Sequence, residues 1–153
     1  MEFATLEREL YVDAAPEIVF EVVSRPEHVK EWWPDDARYE VLPGSTGEIV
    51  FDDPDRGKQA VAFTVLECRP PQTFTFRWTQ PAEEPATAGN SLLVTFDLSP
   101  AGSGTLLRLT ESGFREMGWE VAVLEQQYRE HVSGWDFFLP RLTAYVATLP
   151  VRA

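Results

Sequence analysis

Three side chains in this sequence could do chemistry without a cofactor: Glu111, His131 and Cys68. Glu111 follows Leu107 and Leu109 at two-residue spacing. On a strand all three share one face, so an inward face would aim a carboxyl among apolar groups. There it could act as a general acid or base, or orient a ligand. The alternative is that the strand has ended by residue 111 and the carboxyl reaches water. His131 lies one helical turn before Trp135, and an imidazole suits proton transfer near neutral pH. Cys68 sits at a strand end, out of phase with Val65 and Glu67, and reads as a small packing residue rather than a reactive thiol. The two histidines, His28 and His131, and the one cysteine fall at no metal-ligand spacing, so no metal is expected. No phosphate-cradling loop and no Gly-x-Ser-x-Gly stretch is present, and no cofactor is expected.

These residues need elements to position them. Leu6–Val12 alternates as a strand. "DAAPEIVFEVVS" follows, with Pro16 placed for a first helical turn and Asp13 placed to cap it. "RPEHVKEWWP" reads as a second short helix between Pro26 and Pro34. Five strands come next, at 47–53, 58–67, 72–80, 91–99 and 104–112. Phe74, Phe76 and Trp78 share one face of the third of these, and Leu92, Val94, Phe96 and Leu98 one face of the fourth. "PAEEPATAGN" (81–90) is a loop. From Met117 to Thr148 the period becomes helical, and Tyr128, Val132, Trp135, Leu139, Leu142 and Val146 form one stripe. Gly134 is expected where this helix approaches the sheet backbone closely, and Pro140 where it bends. The result is an α+β fold: a curved, mostly antiparallel six-stranded sheet around a long C-terminal helix, in a single domain spanning 1–153.

Composition bounds the function. Hydrophobic residues are 44% and aromatics 12% of 153 residues, enough for one buried core. Thirteen basic against 25 acidic residues give a net charge of −12, which disfavours nucleic acid and anionic membrane as partners. One cysteine permits no internal disulfide and fits a reducing compartment, so a cytoplasmic location is expected. The opening "MEFATLEREL" lacks the basic start and apolar stretch of a secretory signal, and no apolar run is long enough to span a bilayer.

Three stretches together carry a resemblance: "DAAPEIVFEVVSRPEHVKEWWP", "VLECRPPQTFTFRW" and "HVSGWDFFLPRL". With the element order, they resemble the START-like, or SRPBCC, superfamily, and within it the branch named after the activator of a heat-shock chaperone's ATPase. The resemblance covers nearly the whole chain. It implies a helix-grip fold with a hydrophobic cavity between sheet and C-terminal helix. Where many members carry a His ahead of "SGF"-like residues, this chain has Glu111, so a role of that His does not carry over.

The residues expected to line such a cavity are Trp32, Phe63, Phe76, Trp78, Phe96, Leu109, Glu111, Tyr128, His131 and Trp135, since pockets are built from aromatic walls with a few polar groups. The leading expectation is binding of a small hydrophobic molecule. The alternatives are a cyclase- or dehydratase-like enzyme using Glu111 and His131, or a co-chaperone-like module with a protein partner or a second copy as homodimer.

Overall fold

The structure is a computed structural model and describes residues 4–150. Strand β1 (Thr5–Val12) is followed by helices α1 (Pro16–Ser24) and α2 (Pro26–Trp32). Strands β2 (Asp36–Arg38), β3 (Thr46–Asp53), β4 (Gly57–Arg69), β5 (Thr73–Trp78), β6 (Leu92–Ala101) and β7 (Gly104–Ser112) come next. A short 3-10 turn at Arg115–Met117 then leads to helix α3 (Val121–Val146).

The strands form one antiparallel sheet in the order β1-β7-β6-β5-β4-β3-β2. It has seven strands rather than six. The extra one, β2, is three residues long and too short to show a period; it pairs Asp36–Arg38 against Val50–Glu48 of β3. Gly47 explains how this edge closes: a Cβ there would overlap the Arg38 carbonyl oxygen. All three helices lie against one face of the sheet and bury Val19, Phe20, Val22 and Val23 of α1, Val29 and Trp32 of α2, and Trp135, Leu139, Leu142 and Val146 of α3. The α3 stripe is the one the sequence spacing defines.

Three local expectations are corrected. Helix α1 starts on Pro16 with Ala15 as its cap, and no side chain bonds its first amides, so Asp13 does not cap it. At Gly134 an added Cβ would meet nothing within 4 Å, so this glycine mediates no close approach to the sheet. The third concerns phase. The β4–β5 register slips between Val65 and Glu67, a bulge that brings Cys68 opposite Phe74 as Val65 is opposite Phe76. One extra residue reverses the alternation, so Cys68 shares the inner face with Val65 and packs, half-buried, on the core.

Candidate functional site

Strand β7 carries Glu111 to its penultimate position, between Leu6 of β1 and Val94 of β6. Both neighbours are buried, and so is Glu111, at 0% exposure. The strand has not ended at this residue, and its carboxyl sits inside the molecule.

A buried carboxyl is costly unless its oxygens are satisfied. Here three aromatic groups satisfy them. The Trp78 indole Nε1–H donates to Oε2 at 2.8 Å, and the Trp135 indole Nε1–H donates to Oε1 at 2.9 Å. Nδ1 of His131 lies 2.9 Å from the same Oε1. Indoles can only donate, which makes both carboxyl oxygens acceptors. We assign the His131 proton to Nδ1, the tautomer that gives Oε1 a second donor, which leaves Nε2 as the acceptor of the ring. No described residue hydrogen-bonds to Nε2. The His131 side chain is 14% exposed, with its ring edge-on to Trp78 and Phe114.

The four residues come from three elements. Trp78 ends β5, Glu111 nearly ends β7, and His131 and Trp135 are four residues apart on α3, one above the other on its inner face. The cluster therefore pins α3 to the middle of the sheet. Around it the remaining candidates divide. Phe76 and Phe96 adjoin the cluster, 6.4 Å apart, with Phe96 edge-on to Trp135. Leu109 is fully buried beside Glu111's strand face. Phe63 is stacked between Phe76 at 4.2 Å and Tyr39 at 4.4 Å, away from α3. Trp32 donates its Nε1–H to the Val22 carbonyl and ties α2 to α1. Tyr128 donates to the Thr5 carbonyl at 3.1 Å and packs on Phe114, beside His131.

Sequence reasoning undervalued Trp33. It follows the last residue of α2, and its indole lies within 4.9–6.1 Å of Trp32, Phe51, Phe76, Trp78 and Trp135. In this conformation it fills the layer between the sheet and α3 where a cavity was expected. Adjacent tryptophans at 32 and 33 cannot both be placed from helical period, because Trp33 stands just outside the helix with non-helical φ −120° and ψ −92°. Phe114, fully buried against His131 and Tyr128, was also outside the expected set; it follows Gly113, whose φ of 101° turns the chain off the sheet.

An antiparallel sheet closed on one face by a long C-terminal helix, with two short helices after the first strand, defines the helix-grip, START-like class. The profile described as "Activator of Hsp90 ATPase homolog 1-like protein" matches residues 13–147, and the chain belongs to that family. Solved structures agree on the fold. Protein MLL2253 of Mesorhizobium loti is 23% identical, covering 96% of this chain and 99% of its own, with a TM-score of 0.76. Protein NE0264 of Nitrosomonas europaea is 18% identical, covering 96% of each chain, at 0.75. The Aha1 dimer from Colwellia psychrerythraea is 20% identical, covering 94% of this chain and 96% of its own, at 0.70. No curated protein gives a significant sequence match. Among the described residues no group of His, Cys, Asp and Glu could hold a metal, and no helix is long and apolar enough to cross a membrane.

Proposed function

We propose that this protein binds a small, mostly apolar molecule on the helix-covered face of its sheet, beside His131. One observation carries the reading. A fully buried carboxyl fixes Nδ1 of a histidine whose Nε2 has no protein partner, between two aromatic walls. A carboxyl serving stability alone needs only donors; it does not need a donor with a second nitrogen left over. The family's fold supports the same reading. A ligand with an apolar body and one O–H or N–H donor would give Nε2 its partner. Its body would take the place of the Trp33 indole, which is held by ring contacts, with no side-chain hydrogen bond to any described residue. Trp32, Phe76, Trp78, Phe96, Leu109 and Trp135 would surround it, with Tyr128 on the far side of Phe114; Phe63 would back the layer.

The test is native mass spectrometry of protein purified from its own host, compared with the denatured mass. A retained small molecule, lost in His131→Phe, supports the reading. A bare mass for the wild-type protein, with no binding of aromatic alcohols in solution, sinks it.

Catalysis is the second reading, favoured by the 2.9 Å Glu111–His131 pair. Both Glu111 oxygens are already engaged, so His131 Nε2 would be the general base and Glu111 a positioning residue. An enzyme would show a turnover lost in His131→Phe and a Glu111→Gln effect on the pH profile. The family name and the Colwellia dimer support a further protein-partner or self-association reading; sedimentation and a chaperone ATPase assay test it.

A further inference from the structure

Away from the Glu111 cluster the structure holds an open hollow of about 710 Å³. It lies between α1–α2 on one side and the β2–β3 loop with the β4–β5 turn on the other, and shares no lining residue with the cluster. Its formation follows from the chain. Helices α1 and α2 are joined by Arg25 alone, which is extended at φ −82° and ψ 129°, so α2 turns away from α1 at once. Tyr39 then donates to the Ser24 carbonyl at 2.7 Å, at the end of α1, and its ring stacks on Phe63. Burial pushes the Tyr39 phenol well above its ordinary range, so it stays a neutral donor. This strut holds the β2–β3 loop off the helices and leaves a gap.

The gap has an apolar floor and an acidic rim. Phe20, Val41, Leu42, Cys68 and Pro71 supply the floor and sides, and Leu42 is 59% exposed. The rim holds the carboxylates Glu17, Glu21, Glu27 and Glu40 against one guanidinium, Arg25, itself 3.6 Å from Glu27. Glu17, Glu27 and Glu40 alone outnumber that guanidinium by two. An anion is repelled by that rim, and a neutral apolar body gains nothing from it. A cation with an apolar body gains from both parts, and the chain's −12 charge draws it in.

We propose that this hollow binds a small organic amine: an aromatic or branched aliphatic body seated on Phe20, Leu42 and Cys68, with its ammonium among the glutamates. Cys68 gives the proposal a direct readout. It is the single cysteine of the chain and forms part of the wall, so an occupant shields its thiol.

The experiment titrates the full chain with 2-naphthylmethylammonium, 2-naphthylmethanol and 2-naphthoate by calorimetry. The rate at which N-ethylmaleimide alkylates Cys68 is followed alongside. The expected result is one ammonium site per chain, about ten-fold or more tighter than for the alcohol at low salt, no naphthoate binding, and alkylation slowed several-fold at saturation. The combined Glu17→Gln, Glu27→Gln and Glu40→Gln variant changes only exposed positions; in it the ammonium should fall to the affinity of the alcohol. Protein already alkylated at Cys68 should no longer bind the ammonium, and His131→Phe should bind it as wild type does. Absence of ammonium binding overturns the proposal. So does binding that leaves Cys68 alkylation unchanged, which marks diffuse attraction to an acidic surface.

Discussion

Glu111 carries the largest single-residue consequence. Replacing it by alanine would strand the Trp78 and Trp135 indole N–H groups in a dry interior, where each unsatisfied donor costs about 1–3 kcal/mol. Glu111→Ala is therefore expected to lose about 3 kcal/mol or more in a urea titration. Glu111→Gln should lose less but still destabilise, since its amide NH2 would face a donor. Nitrogen NMR of His131 should find the proton on Nδ1 in the native protein, and mixed tautomers in Glu111→Gln. A native protein with the proton on Nε2 would remove the acceptor that the binding proposal needs. Glu111 and His131 were legible as candidates from strand phase and helical position. Their joint engagement with two tryptophans was not, because the four residues come from three elements separated by up to 57 positions along the chain, Trp78 to Trp135.

Helix α3 poses a question of composition: it spends a glycine and a proline in its interior. Gly134 faces open space, so Gly134→Ala should stabilise the protein by about 0.5–1 kcal/mol, the ordinary difference between these residues in a helix. The thermal midpoint rises if this is right. A fall would mean that the helix needs the freedom of glycine. Gly47→Ala should do the reverse, because its Cβ would overlap the Arg38 carbonyl and split β2 from β3. The contrast shows what a sequence pattern conveys. Helix and strand periods place α3, β3 and β5–β7 within a few residues, since each buries a face with its own repeat. They do not say which glycine is crowded, because crowding belongs to the neighbour and not to the glycine.

The molecule as a whole is acidic, and its response to acid follows from where its carboxylates pair. Asp136 on α3 meets Arg8 on β1 at 2.7 Å, and the hydrogen bond from Arg8 holds its carboxyl below the usual range against a smaller opposing effect of burial. Asp36 and Asp53 are lowered too, first by backbone amides and then by nearby arginines. A carboxyl with a depressed folded pKa stabilises the fold above its unfolded value, near 3.8, and that stability disappears as pH falls through the folded value. Unfolding followed from pH 5 to pH 2 should show this loss. Arg8→Ala should flatten part of it by under about 1 kcal/mol, since the pair is largely exposed. At pH 7, added salt should raise the melting temperature, because it screens the mutual repulsion of an excess of twelve negative charges.

The chain's own order of periods settled the architecture: one strand, two proline-opened helices, a run of alternating strands and a long amphipathic helix admit few arrangements in which every apolar face is covered. Local patterning also put Glu111 on the strand face of Leu107 and Leu109 and marked the α3 stripe as core, but left open whether that carboxyl faced inward or reached water. Only the folded molecule decided the rest. It placed Trp33 in the helix–sheet layer, turned Cys68 inward through a bulge, and opened the hollow under α1 and α2. The reason is physical. Periodicity reports which side of an element avoids water, while a site depends on distances between elements, and those are set only when all the faces pack at once.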